Sequence, residues 1–186
     1  MTSVPKTRIP PRLAPSVADV RASLAACRHD PVLHAGAALM LFAGLRPGEV
    51  RRMLVQDWLP GEAPRVVVRG GVAARMIRVA PSAATALYDS LIGEDTEPDE
   101  PLILGLTQRG WLEKVFSDVA QDACLDVRVH DLRQAAIAAA LEDGTPVAHV
   151  EAYFGLSKAV DRRPPVGVPD GYDAGVAAAL EVAFAG

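Results

Sequence analysis

The sequence predicts a mainly α-helical domain with one small antiparallel β-hairpin, an α+β arrangement in which helices dominate. Two observations carry this expectation. Apolar residues recur at helical spacing in several segments, and two of these open with a capping residue followed by proline, Asp30-Pro31 and Thr145-Pro146. β-Branched runs gather in Arg65-Val66-Val67-Val68-Arg69 and Met76-Ile77-Arg78-Val79, around Gly70-Gly71. At 186 residues, half of them apolar, the chain is long enough for one domain with a sizeable core.

Residues 1–15 are basic and proline-rich, cannot continue a helix, and read as a flexible extended tail; residues 16–186 read as one domain. Ser16 can cap a helix through His29, with Val17, Val20, Leu24 and Cys27 along one side. The helix opened by Asp30-Pro31 is apolar nearly all round through Leu39-Met40-Leu41-Phe42, so it should be buried, and Gly44 ends it. Pro47 restarts a short helix that turns Val50, Met53 and Leu54 inward and leaves Arg51 and Arg52 more exposed. After the hairpin come a helix over 82–92 and an acidic loop over 94–101. Helices over 107–123, 130–143 and 146–155 follow, then a proline-rich loop over 156–171 and a last alanine-rich helix over 172–184.

The net charge of −4 argues against a protein that coats DNA indiscriminately. That average conceals an asymmetry. Residues 1–80 hold twelve Lys/Arg against five Asp/Glu, a balance of +7, and residues 81–186 hold seven against eighteen, a balance of −11. Any basic face should therefore come from the first half. Cys27 and Cys124 lack metal-ligand spacing and are expected as reduced core thiols. The N-terminus has no signal-like apolar run and no stretch is long enough to cross a bilayer, so a soluble cytoplasmic protein with no membrane role is expected.

Two segments carry candidate chemistry, Leu45-Arg46-Pro47-Gly48-Glu49 and Val129-His130-Asp131-Leu132-Arg133. Two arginines and a histidine at one place would make a receptor for a phosphate. The guanidinium stays charged and its planar fork matches phosphate oxygens, while histidine can also move a proton. Each residue also has a plain structural reading. Arg46 could be a surface arginine at a helix start, and His130 with Arg133 a solvated helix face.

At these segments the chain resembles the catalytic domain of tyrosine recombinases, the phage-integrase family. There Gly-Leu-Arg-x-x-Glu carries one catalytic arginine, and His-x-Leu-Arg carries a histidine and the other. The order of helices, hairpin and helices agrees with that family over about residues 31–156. The resemblance implies double-stranded DNA as partner and site-specific strand breakage and rejoining, as in DNA recombination and integration. It also implies a 3′-phosphotyrosyl intermediate, with no metal and no cofactor. Carried over by position, it makes Arg46, His130 and Arg133 catalytic, gives Glu49 an orienting role, and leaves Tyr172 as nucleophile. It further implies contact with other recombinase protomers through the C-terminal helix.

The sequence departs from the family at four points. The hairpin turn, where a catalytic lysine is usual, reads Arg69-Gly70-Gly71-Val72-Ala73-Ala74-Arg75 and has none. Arg69 or Arg75 could bind DNA there, but an arginine is a poor proton donor; both could equally be solvated turn residues. Leu156 stands where the family has histidine or tryptophan, and His149 reads as an exposed helix residue rather than a substitute. The usual tyrosine position is Pro165, and Tyr172 lies further on, where its ring could simply anchor the last helix. The segment before the first buried helix is too short for the N-terminal clamp domain common in the family. These departures keep a rival open: an inactive recombinase-fold protein serving as a DNA-binding or protein-interaction module.

Overall fold

The structure, a computed structural model, describes residues 14–69, 74–91, 97–106, 108–156 and 168–185. Eight helices are described: α1 Val17–Ala26, α2 Pro31–Phe42, α3 Pro47–Val50, α4 Pro81–Leu91, α5 Trp111–Asp122, α6 Val129–Glu142, α7 Val147–Phe154 and α8 Tyr172–Phe184. Three strands, β1 Trp58–Leu59, β2 Arg65–Val68 and β3 Arg75–Arg78, form one antiparallel sheet in the order β1-β2-β3. The expected hairpin is thus two-thirds of the sheet. The Gly70-Gly71 turn, Thr107, most of the 1–15 tail and much of the acidic and proline-rich loops lie outside the described residues.

The capping chemistry sets α1 and α2 as expected. The Asp19 amide donates to Ser16 Oγ at 3.1 Å while the Ser16 amide donates to the Asp19 carboxylate at 3.2 Å. Leu33 N donates to the Asp30 side chain at 3.0 Å, with Pro31 in the first turn. Helix α2 is buried from Ala35 to Phe42 and packs against α4 and α6, with α5 and α8 also touching it. Its all-round apolar surface is what a central helix needs. Three boundaries differ from expectation: α1 ends at Ala26, with a 3-10 turn over Cys27–His29, α5 starts after Gly110 rather than at Thr107, and the cap of α7 is Pro146 rather than Thr145.

Gly44, at φ +61°, lets the chain leave α2 toward α3. A Cβ there would lie 2.3 Å from a Phe154 ring carbon, so α7 closes directly onto this turn. Tyr153, its neighbour, is fully buried, with its hydroxyl 3.0 Å from the Phe42 carbonyl and 2.8 Å from that of Arg78. That anchors the end of α7 to both α2 and β3.

In β3, Arg75 and Ile77 share the inward face while Met76 points to solvent. The alternation aims an arginine into the protein, and the site described below depends on it. Helix α8 is docked on its own chain. The Arg78 amide donates to buried Asp173 at 2.8 Å, Ser82 Oγ donates to Glu181 at 2.8 Å, and Arg21 donates to the Ala183 carbonyl from Nε at 3.0 Å. Phe184 meets Phe42 edge-on at 6.4 Å.

The cysteines divide. Cys27 is buried, its thiol donates to the Ser23 carbonyl at 3.2 Å, and burial, then the charge of Asp30, push its pKa up to about 12. Cys124 is exposed at φ +57° in the turn after α5, so the expectation of two core thiols fails there. Its place follows helix termination; the apolar face of α5 ends at Ala120. No helix among the described residues is long and apolar enough to cross a membrane.

Candidate phosphate site

Three arginines from three elements converge on the C-terminal end of α7. Arg75 Nε donates to the Tyr153 carbonyl at 2.8 Å, an Arg133 terminal nitrogen donates to that of Phe154, and Arg46 donates to that of Gly155 at 3.1 Å. The other terminal nitrogen of Arg133 donates to the Gly44 carbonyl. Cations suit this position because the last carbonyls of a helix lack intrahelical donors and carry its negative end. The same interactions hold the arginines in place.

Glu49 supplies one carboxylate among them. Arg75 grips it from both terminal nitrogens at 3.0 and 3.1 Å, the Arg46 amide donates to it at 2.9 Å, and the Arg46 guanidinium lies 3.6 Å away. Burial alone would raise this carboxyl. The hydrogen bonds and charge of Arg75, then the amide and charge of Arg46, outweigh burial and hold its pKa below the ordinary value. Glu49 thus binds both Arg46 and Arg75.

Arg133 is buried, and its guanidinium lies 5.5 Å from the centre of the Phe154 ring. Burial first, then repulsion from Arg46 and Arg75, bring its pKa down to about 10, with Glu49 opposing. It stays protonated at neutral pH. Three guanidinium charges surround one carboxylate, and an arriving anion would relieve the repulsion between them. Arg46, with 43% of its side chain exposed, is the accessible edge of this group.

His130 is the second residue of α6, exposed, one turn before Arg133 and on the same helical face. The pair is thus split between solvent and interior rather than forming one solvated face. Arg75 is likewise no solvated turn residue, since only 6% of its side chain is exposed. Arg69 stands apart from the cluster: more than half exposed, it pairs with buried Asp57, which also accepts from the Leu54 amide at 3.0 Å.

Tyr172 is the first residue of α8 and half-buried. Burial, then the adjacent Asp173 carboxylate, raise its phenol pKa, while the charge of Arg75 opposes them. Of the three arginines, Arg75 is the one whose charge reaches the phenol. Its ring lies 5.8 Å from that of His149, so His149 is a neighbour of Tyr172 rather than a bare surface residue. This contact joins α7 to α8 across a proline-rich loop, and no local spacing signalled it. The two remaining tyrosines stand elsewhere, Tyr153 in the core and Tyr88 edge-on to Trp58 at 5.7 Å.

The fold is that of recombinase and integrase catalytic domains. It is similar to the crystal structure of XerA recombinase, with a TM-score of 0.67 and 20% identity over 91% of this chain and 63% of that one. It is also similar to the integrase from mycobacterium phage Brujita, with a TM-score of 0.67 and 19% identity over 98% of this chain and 61% of that one. The chain thus spans under two-thirds of the length of either structure, and at this identity the likeness is one of fold. No family model and no curated protein sequence matches it.

Proposed function

We propose that this chain acts on double-stranded DNA as a tyrosine-recombinase-type domain, breaking and rejoining strands through a covalent phosphotyrosyl intermediate. The observation that carries the reading is the convergence of Arg46, Arg75 and Arg133 on one helix end, with Tyr172 inside the field of Arg75. Arg46 from its exposed edge and Arg133 from beneath hold the non-bridging oxygens of the phosphate. His130, at the exposed start of α6, donates to the same group. Fixed cations of this kind act where charge develops as the phosphate becomes five-coordinate.

In the reaction the Tyr172 oxygen attacks phosphorus, the bond to the 5′-oxygen breaks, and the phenolic proton passes to solvent water as the ester forms. The departing 5′-oxygen takes up a proton, and among the phosphate-holding residues His130 is the side chain whose chemistry allows it to supply one. Attack by a 5′-hydroxyl on the phosphotyrosine reverses the exchange. The energy of the broken bond is kept in the tyrosyl ester, so the scheme calls for no nucleotide cofactor.

A second reading, DNA binding without cleavage, is favoured by one specific observation. Arg75, on the hairpin strand where the family carries a lysine nearby, has its guanidinium committed to Glu49 and to the Tyr153 carbonyl. An arginine so held donates no proton. Nicked duplexes of varied sequence separate the readings, because loss of the short fragment past the nick traps the intermediate. A covalent adduct that disappears in Tyr172→Phe supports cleavage. Duplex binding with no adduct on any substrate overturns it in favour of the second reading.

A further inference from the structure

A cavity of about 380 Å³ opens between α3 and the start of α5, beside the arginine cluster but separate from it. Gly48, Arg51, Arg52, Gln108, Arg109 and Glu113 are among the residues that line it. Three guanidinium groups against one carboxylate leave it positive. Among the described residues, none of the three arginines forms an ion pair with a carboxylate, in contrast to Arg69 and Arg75, which are both engaged. Arg52 and Arg109 are exposed and Arg51 is partly buried, so the charge lines the wall and rim of a recess.

The backbone adds to the same polarity. Gly110 caps α5 without a side chain; the Trp111 amide donates to the Gln108 carbonyl at 3.3 Å, and no side-chain acceptor from the cap meets the amides that follow it in the first turn of this twelve-residue helix. Gln108 supplies a neutral donor beside them. Guanidinium forks, an amide and uncapped helix amides together fit the oxygens of a phosphate group.

We infer that this cavity is a second phosphate site, which takes a backbone phosphate of the same DNA that Arg46 engages; it rests on the DNA-binding reading above. Its position supports a nucleic-acid source. The lining begins at Pro47, next to Arg46, and Arg51 and Arg52 follow at the end of the same single-turn helix. A duplex presents phosphates at short, regular intervals, so a molecule seated on Arg46 has further phosphates close at hand. Arg51 and Arg52 also belong to the half of the chain that carries the excess of basic residues.

The test compares wild type with R51Q/R52Q and, separately, R109Q on α5, after thermal unfolding has shown each variant folded. Anisotropy of a short labelled duplex is measured over a range of salt, and pyrophosphate binding is measured by calorimetry. The expected result is weaker duplex binding of every sequence, with the slope of log K against log salt reduced by about 0.9 for the phosphate lost. Pyrophosphate heat should fall in both variants.

Unchanged affinity and slope in both variants, with Arg46→Ala still weakening the duplex complex, overturn the inference and leave the proposed function standing. Pyrophosphate binding lost in the variants while duplex binding is unaltered overturns the DNA source, because the pocket then serves a free polyphosphate. If wild type binds no duplex, the proposed function fails. Pyrophosphate heat that both variants lose then still supports a phosphate site, and its absence from wild type overturns the site as well.

Discussion

Arg75 holds Glu49 in a two-pronged ion pair, at 3.0 and 3.1 Å, while its Nε caps the end of α7 through the Tyr153 carbonyl. Their side chains are 6% and 4% exposed. The pair ties β3, α3 and α7 together at the point where the arginines meet. Removing one partner strands a buried charge, which costs more than the pair contributes relative to apolar residues of the same shape. Glu49→Ala should therefore destabilise the protein by roughly 3–5 kcal/mol, and Glu49→Ala with Arg75→Met by clearly less than the sum of the two single changes. Urea unfolding of the four proteins measures the difference, and strict additivity would contradict the account.

The same pair gives the protein an acid-sensitive component. Glu49 has its pKa lowered in the folded state, so its contribution is complete above the unfolded carboxyl value of about 4.5. It is lost as pH falls through the lower, folded value. Glu49→Gln should remove that part of the acid dependence. Thermal midpoints followed downward from neutral pH should show a shallower acid limb in the variant, and parallel curves would show that Glu49 is not a source of the acid dependence.

Gly44 makes a prediction about packing. Its φ of +61° disfavours a side chain, and a Cβ would lie 2.3 Å from the Phe154 ring. Overpacking of this kind costs about 1–3 kcal/mol, and left-handed backbone adds about 1–2 kcal/mol for a non-glycine residue. Gly44→Ala should lower stability by the combined amount in urea and displace the Arg133 contact with the residue 44 carbonyl. A variant as stable as wild type would mean that α7 does not close on this turn.

Tyr172→Phe should leave the fold and duplex affinity nearly unchanged, because the half-buried ring keeps its packing against His149. Tyr153→Phe should lower stability by about 1–3 kcal/mol, since the buried carbonyls of Phe42 and Arg78 lose their shared donor. Unfolding midpoints beside duplex anisotropy separate the two roles, and a reversed ranking of the two stability losses would contradict them.

Much of the fold was legible because its signals are local. Asp30-Pro31 states a helix start, the all-round apolar surface of α2 states burial, and Gly70-Gly71 between β-branched runs states a hairpin. Strand β1, Trp58–Leu59, was not legible because a two-residue strand has no periodicity and exists only by pairing with β2. The site was half legible. Arg46 and Arg133 could be named from their motifs, but nothing in an alanine-rich helix shows that Arg133 is buried while His130 is exposed. The inward aim of Arg75 follows from its two-residue spacing from Ile77, a signal present in the sequence but without meaning until the strand's inner face is known. The contact of His149 with Tyr172 joins elements separated by a loop, and local sequence patterns do not encode it.

The central claim is that the arginine cluster meets a DNA phosphate, and duplex binding by Arg46→Ala across a salt series tests it most directly. Arg46 is the accessible member, so its loss should weaken binding by about ten- to a hundredfold, the worth of a hydrogen bond to a charged group. The salt slope should fall by about 0.9, while Lys114→Ala, which removes an exposed lysine paired with Asp118 on α5, should change little. Equal affinity and equal slope for wild type and Arg46→Ala would contradict the account.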